Sequence, residues 1–137
     1  MKRGIENEKN NKGLLPNFLH YISGAENTLN MMEQAPVTVF VFYTKANNLW
    51  HEASVESKLF DVANIQSIGA AIENMLLAAT DLGIGSLWIC DVFFAYREIC
   101  QWLDEKGQLI AAVSFGYAEE SPSPRPRKEL LDVVKWR

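Results

Sequence analysis

The chain has 137 residues, with 48% hydrophobic and 22% charged side chains and a formal net charge of -4. That balance excludes a wholly disordered chain, which needs low apolar content and high net charge. The length suits a single domain. No apolar stretch is long enough to span a bilayer, and the N-terminus MKRGIENEKNNKG lacks the apolar core of a secretory signal. The two cysteines, Cys90 and Cys100, are too few for a disulfide scaffold, so a reducing cytoplasm is the expected compartment.

Charge is unevenly placed. Residues 1–124 carry 8 basic and 15 acidic side chains, whereas residues 125–137 carry 5 basic and 2 acidic ones. An acidic body argues against nucleic-acid binding, which needs a broad basic face. A short basic tail suits one compact anion, and the guanidinium groups of Arg125 and Arg127, with Lys128, match a phosphate. A solvated, frayed C-terminus is the plainer reading.

In chain order, polar residues 1–13 read as a flexible arm, and residues 14–137 as one domain whose last part, 118–137, is a C-terminal arm. From Pro16 to Gln34, Phe18, Leu19, Ile22, Ala25, Leu29 and Met32 recur at helical spacing. Gly24 leaves one helix or two short ones open. Ala35-Pro36 stops the helix. Val37–Tyr43 is a strand covered on both faces, and residues 44–57 read as a loop.

Residues 59–82 carry one apolar seam through Ile65, Ile68, Ile72, Met75, Ala79 and Leu82, and a second through Ala63, Ala70, Leu77 and Ala78. A helix apolar around most of its circumference must be buried around most of it. The expectation is one face on the sheet and another on a second subunit, with a central helix of a monomeric core as the alternative. Gly83 caps this helix. Ser86–Cys90 reads as a strand, Phe93–Leu103 as a helix and Leu109–Tyr117 as a strand, followed by a proline-rich exit over residues 118–126. Residues 127–136 read as a terminal helix or an extended arm. Helices between strands imply a layered arrangement with crossover connections.

Direct inspection gives little catalytic machinery. There is no G-x-S-x-G, His20 and His51 lie in unrelated segments, and the cysteines lack zinc spacing. Gly83-Ile84-Gly85 follows a helix and precedes a strand, the reverse of the dinucleotide fingerprint, so it reads as a cap and a tight turn. Glu119-Glu120 reads as a solvated charge run. An enzyme of this kind would rely on an organic cofactor.

Three segments resemble the C-terminal part of the FMN-dependent nitroreductase family. They are AAIENMLLAATDLGIGS (residues 70–86), LWICD (87–91) and FGYAEESPSPRPRKELLDVVKW (115–136), and AP-VTVFVFY before them is similar to the family's central strand. The resemblance covers about residues 30–137. Nothing in residues 1–30 matches the family's N-terminal FMN-binding motif, so a chain truncated at its N-terminus is expected. The resemblance implies an α+β fold with a mixed central sheet flanked by helices, in an intertwined homodimer. It also implies FMN, with NAD(P)H as hydride donor and a nitroaromatic, quinone or related compound as acceptor. Carried over by position, Trp88, Ile89, Cys90 and Asp91 would lie beside the flavin ring. Arg125, Arg127 and Lys128 would contact its phosphate. Cys90 and Asp91 depart from the family's commoner Glu-Gly or Gly pairs at this place. The alternatives are a non-catalytic dimer or binding module on the same fold, and an unrelated small α/β protein.

Overall fold

A computed structural model describes residues 1–45, 52–119 and 123–136. Part of the expected loop at 44–57, part of the proline-rich exit, His51, Glu120 and Arg137 lie outside the described residues. The sheet has three strands, β1 (Val37–Tyr43), β2 (Gly85–Ile89) and β3 (Gln108–Gly116), in the order β1-β3-β2. On one side lies α3 (Val55–Asp81). On the other lie α1 (Lys2–Lys9), α2 (Ile22–Gln34) and α4 (Tyr96–Leu103), with two 3-10 turns at Pro16–Tyr21 and Asp91–Ala95. A four-residue helix, α5 (Leu130–Val133), follows the proline-rich exit. The fold is therefore α+β, with the sheet between two helical layers.

Both strand pairings are antiparallel, where a mixed sheet is expected from the resemblance. A helix between strands fixes direction only if it crosses the sheet. The 27-residue α3 is about 40 Å long at ~1.5 Å per residue and does cross it, so β2 runs in the direction of β1. The 8-residue α4 turns back at the same end, so β3 runs against β2.

The alternation of β3 divides the core. Ala111 and Val113 face α3 and pack with Ile72, whereas Leu109 and Ala112 face the other layer with Ile89, Val92 and Ile99. Leu109 and Ala112 share a face because the register slips between Val41 and Phe42, which leaves Ile110 as the extra residue of a bulge. Ile72 is 1% exposed at the centre of the α3 face. Ile72→Ala is expected to cost about 2–5 kcal/mol through reduced burial and a residual cavity, read as a lower urea midpoint with little change in slope.

The α3 helix begins at Val55, before residue 59, because the Ser54 hydroxyl caps it by accepting the Ser57 N–H at 3.2 Å. It ends in a Schellman arrangement: Ile84 N–H bonds Ala79 O at 2.8 Å, Gly83 N–H bonds Thr80 O at 3.0 Å, and Gly83 sits at φ +69°. Its sheet-facing seam is the first one read from the sequence, except that Leu82 is exposed. The second seam, Leu77 included, is exposed, and so are Leu59, Phe60 and Val62.

Residues 1–13, expected as an arm, instead carry α1, whose Gly4, Ile5 and Glu8 are buried. At Gly4 the helix backbone touches the Asp91–Ala95 turn so closely that a methyl group would run into Ala95. Asn7 Nδ2 donates to Glu98 Oε1 at 2.5 Å, tying α1 to α4. The Lys9–Glu26 ion pair is about half exposed on both sides and adds little. The Pro16–Gln34 run divides at Tyr21 and Ile22, not at Gly24.

Candidate functional site

Strand β2 delivers its successive residues to different places. Leu87 and Ile89 point into the core under α4, and Ile89 is 2% exposed. Trp88 points to the opposite face, where its ring lies against Gly69 of α3. The strand then stops, and Cys90 and Asp91 turn outward at the start of a 3-10 turn. Here the chain borders a groove of about 710 Å³, within the ~300–1,000 Å³ typical of small-molecule sites.

One wall of the groove comes from the N-terminal region: Leu14, Leu15, Phe18, Tyr21 and Gly24. The other comes from the turn and its surroundings: Phe93, Phe94 and Tyr96, with Gln108 and Leu109 at the start of β3. Phe18 and Tyr21 stand with ring centroids 6.0 Å apart, and the His20 ring lies 4.0 Å from that of Tyr21. The Leu14–Leu15 wall is held from behind by the buried carboxylate of Glu8. Its Oε1 accepts the Leu14 N–H at 2.6 Å, and the Leu15 N–H reaches Oε1 at 3.1 Å and Oε2 at 3.0 Å.

Asp91 is the one charged residue of the lining among the described residues. The Thr28 hydroxyl donates to Asp91 Oδ2 at 2.6 Å and lies 3.0 Å from the Gly24 carbonyl. This anchors the carboxylate to α2. Cys90 is exposed as a residue, but burial of its thiol pushes the pKa above the ordinary thiol value, and the charge of Asp91 pushes it further. The thiol is therefore the neutral form at pH 7. Asp91→Asn removes the charge contribution and is expected to lower the Cys90 pKa. Iodoacetamide labelling of Cys90, followed by peptide mass spectrometry, should then quicken at pH 8. An unchanged rate would show that burial alone sets the pKa. No group of three or more His, Cys, Asp or Glu suited to a metal occurs among the described residues.

Of the site residues expected from the sequence, the structure brings Cys90 and Asp91 to the groove. Trp88 and Ile89 point elsewhere, and Arg125, Arg127 and Lys128 are exposed on the C-terminal segment and do not line it. The aromatic wall from residues 14–24 is an addition that sequence reasoning misses. Its helical spacing signals only a core face, and nothing local places it against residue 91.

A sheet between two helical layers, a long helix with an uncovered apolar face and an aromatic groove at the end of β2 make up a layered α+β fold. The match to the nitroreductase family covers residues 4–117, and the chain belongs to that family. It reaches almost to the N-terminus, so α1 and α2 are family elements, where the resemblance begins only near residue 30. The chain is similar to "Putative NAD(P)H nitroreductase YfkO" of Bacillus subtilis (strain 168), with 32% identity over 121 residues, 79% of this chain and 53% of that protein. The chain thus spans about half the length of this curated relative. No helix among the described residues is long and apolar enough to cross a membrane.

The groove's chemistry fits the ring system of a flavin: it is lined largely by aromatic and aliphatic side chains, and its volume of about 710 Å³ has room for a planar heterocycle. Among the described residues its lining holds no cation for a phosphate. The exposed basic triplet has the right chemistry for that end, at a different place in the chain.

Proposed function

We propose that this chain is the FMN-binding, NAD(P)H-dependent oxidoreductase of its family type, acting on nitroaromatic, quinone or related conjugated acceptors. The observation that carries the reading is the Cys90–Asp91 turn opening into an aromatic groove, in a chain that belongs to the nitroreductase family. A bound flavin would supply two-electron chemistry between a nicotinamide donor and an acceptor. The chain's own residues bind and position. The groove walls exclude water from the ring, and backbone N–H groups at Cys90 and Asp91 orient its edge. Arg125, Arg127 and Lys128, on a C-terminal arm over 118–137, hold the phosphate.

The acting unit is a homodimer. Two surfaces support this. Along α3, Leu59 (64% exposed), Phe60 (70%) and Leu77 (59%) lie open, more apolar surface than a lone soluble helix normally shows. On the C-terminal arm, Leu131 (78%) and Trp136 (80%) are largely exposed. A second copy would cover both and bring a basic triplet toward a groove.

The test is NADH and NADPH oxidation by the purified chain with added FMN and a quinone or nitroaromatic acceptor. Turnover that saturates with FMN and requires the acceptor supports the reading. Absence of turnover at saturating FMN, with folded dimer shown by sedimentation, overturns it in favour of a non-catalytic binding module.

A further inference from the structure

We propose that the groove beside Asp91 is selective for small aromatic cations, rings that carry a protonated or quaternary nitrogen. This rests on the reading of the groove as a ligand site, and it concerns the flavin-free chain, in which a cationic ring would take the place proposed above for the flavin ring. It does not depend on flavin being bound.

Three observations converge. First, five of the lining side chains are aromatic: Phe18, Tyr21, Phe93, Phe94 and Tyr96. Aromatic faces attract cations through the ring quadrupole, and clustered aromatic walls are the common receptor for quaternary nitrogen. Second, Asp91 is the one charged lining residue among the described residues, and no Lys, Arg or His lines the groove to offset it. Third, the carboxylate is fixed in place. Thr28, itself only 9% exposed, bonds Oδ2, and Oδ1 has no partner among the described residues. A buried hydroxyl thus orients a carboxylate that lines an aromatic groove, with its other oxygen unpartnered among the described residues. Charge complementarity decides the occupant. A carboxylate-bearing aromatic would meet Asp91 with no compensating cation. A neutral ring would gain the apolar contacts alone. A cationic ring gains both the quadrupole and the carboxylate.

The test uses the full chain without flavin, so that its outcome is read separately from the oxidoreductase reading. Binding of benzyltrimethylammonium, benzyl alcohol and phenylacetate is measured by calorimetry at low ionic strength. The expected result is at least tenfold tighter binding of the cation than of the alcohol, and weakest binding of phenylacetate. Asp91→Asn, which keeps an acceptor for Thr28, should cut the cation-to-alcohol ratio at least fivefold while leaving the alcohol affinity within twofold. Circular dichroism confirms that the variant is folded. Tyr21→Leu, on the exposed wall, should lower the same ratio and leave Asp91 intact. Equal affinity for the three probes, no binding of any, preference for phenylacetate, or a ratio that survives Asp91→Asn would each overturn the proposal. Retention of flavin by a chain that fails this test would leave the oxidoreductase reading standing and remove only the cation preference.

Discussion

Replacing Arg125 and Arg127 together with alanine is expected to weaken FMN binding by about 3–6 kcal/mol, at roughly 1.5–3 kcal/mol for each charge-assisted hydrogen bond removed. That corresponds to an affinity lower by about a hundredfold to ten-thousandfold. Both side chains are exposed, and neither lines the groove, so the substitution leaves the core and the aromatic walls untouched. Unfolding midpoints should therefore match the parent chain. The measurement is FMN titration followed by flavin fluorescence quenching, with riboflavin as control. Riboflavin lacks the phosphate, and its affinity should not change. An FMN affinity unaltered in the double variant would remove the phosphate role from the arm.

Glu8→Ala is expected to destabilise the fold by about 2–5 kcal/mol, at roughly 1–3 kcal/mol for each of the two backbone donors left without a partner. Glu8 is 2% exposed, and its two oxygens take the backbone N–H groups of Leu14 and Leu15. Deleting the carboxylate leaves those donors without a partner in a partly buried loop. Because Leu14 and Leu15 form a wall of the groove, ligand affinity should fall even at temperatures where the variant is folded. Glu8→Gln keeps one acceptor oxygen and should recover part of the stability. Thermal unfolding of the three proteins reads this order directly. A Glu8→Ala chain with the parent midpoint would show that water replaces the carboxylate at no cost.

The parts of the fold that are legible in the sequence are those whose side chains repeat with a period. The Ile68–Ile72–Met75 seam sits where its periodicity puts it, on the sheet side of α3, and the apolar run Val37–Tyr43 forms β1, although Val37 and Val39 are exposed where cover on both faces is expected, because β1 is an edge strand. Strand direction is not legible, because it depends on whether the intervening helix crosses the sheet, and only helix length hints at that. The α1 helix is hidden by its composition. It buries one aliphatic side chain, Ile5, together with a glycine and a carboxylate, so no apolar stripe marks it. The start of α3 does carry a local signal, since Ser54 stands three residues before Ser57 at the head of the helix.

The candidate site is half legible. The Cys90–Asp91 turn follows from the end of a strand and the start of a helical stretch, both visible in the pattern. The aromatic wall facing it comes from residues 14–24, nearly seventy positions away. Phe18 and Tyr21 look like core residues at helical spacing, yet they are 48% and 55% exposed because the 3-10 turn that carries them lies at the groove's rim. Pairing of that turn with Asp91 passes through Thr28, a polar residue whose hydroxyl is indistinguishable in sequence from any solvated one.

The visible absorption spectrum of the purified chain after incubation with FMN and desalting tests flavin binding most directly. Retained flavin bands at close to one FMN per chain are expected, abolished in the Arg125→Ala, Arg127→Ala double variant. A colourless protein that is folded and dimeric would contradict flavin binding.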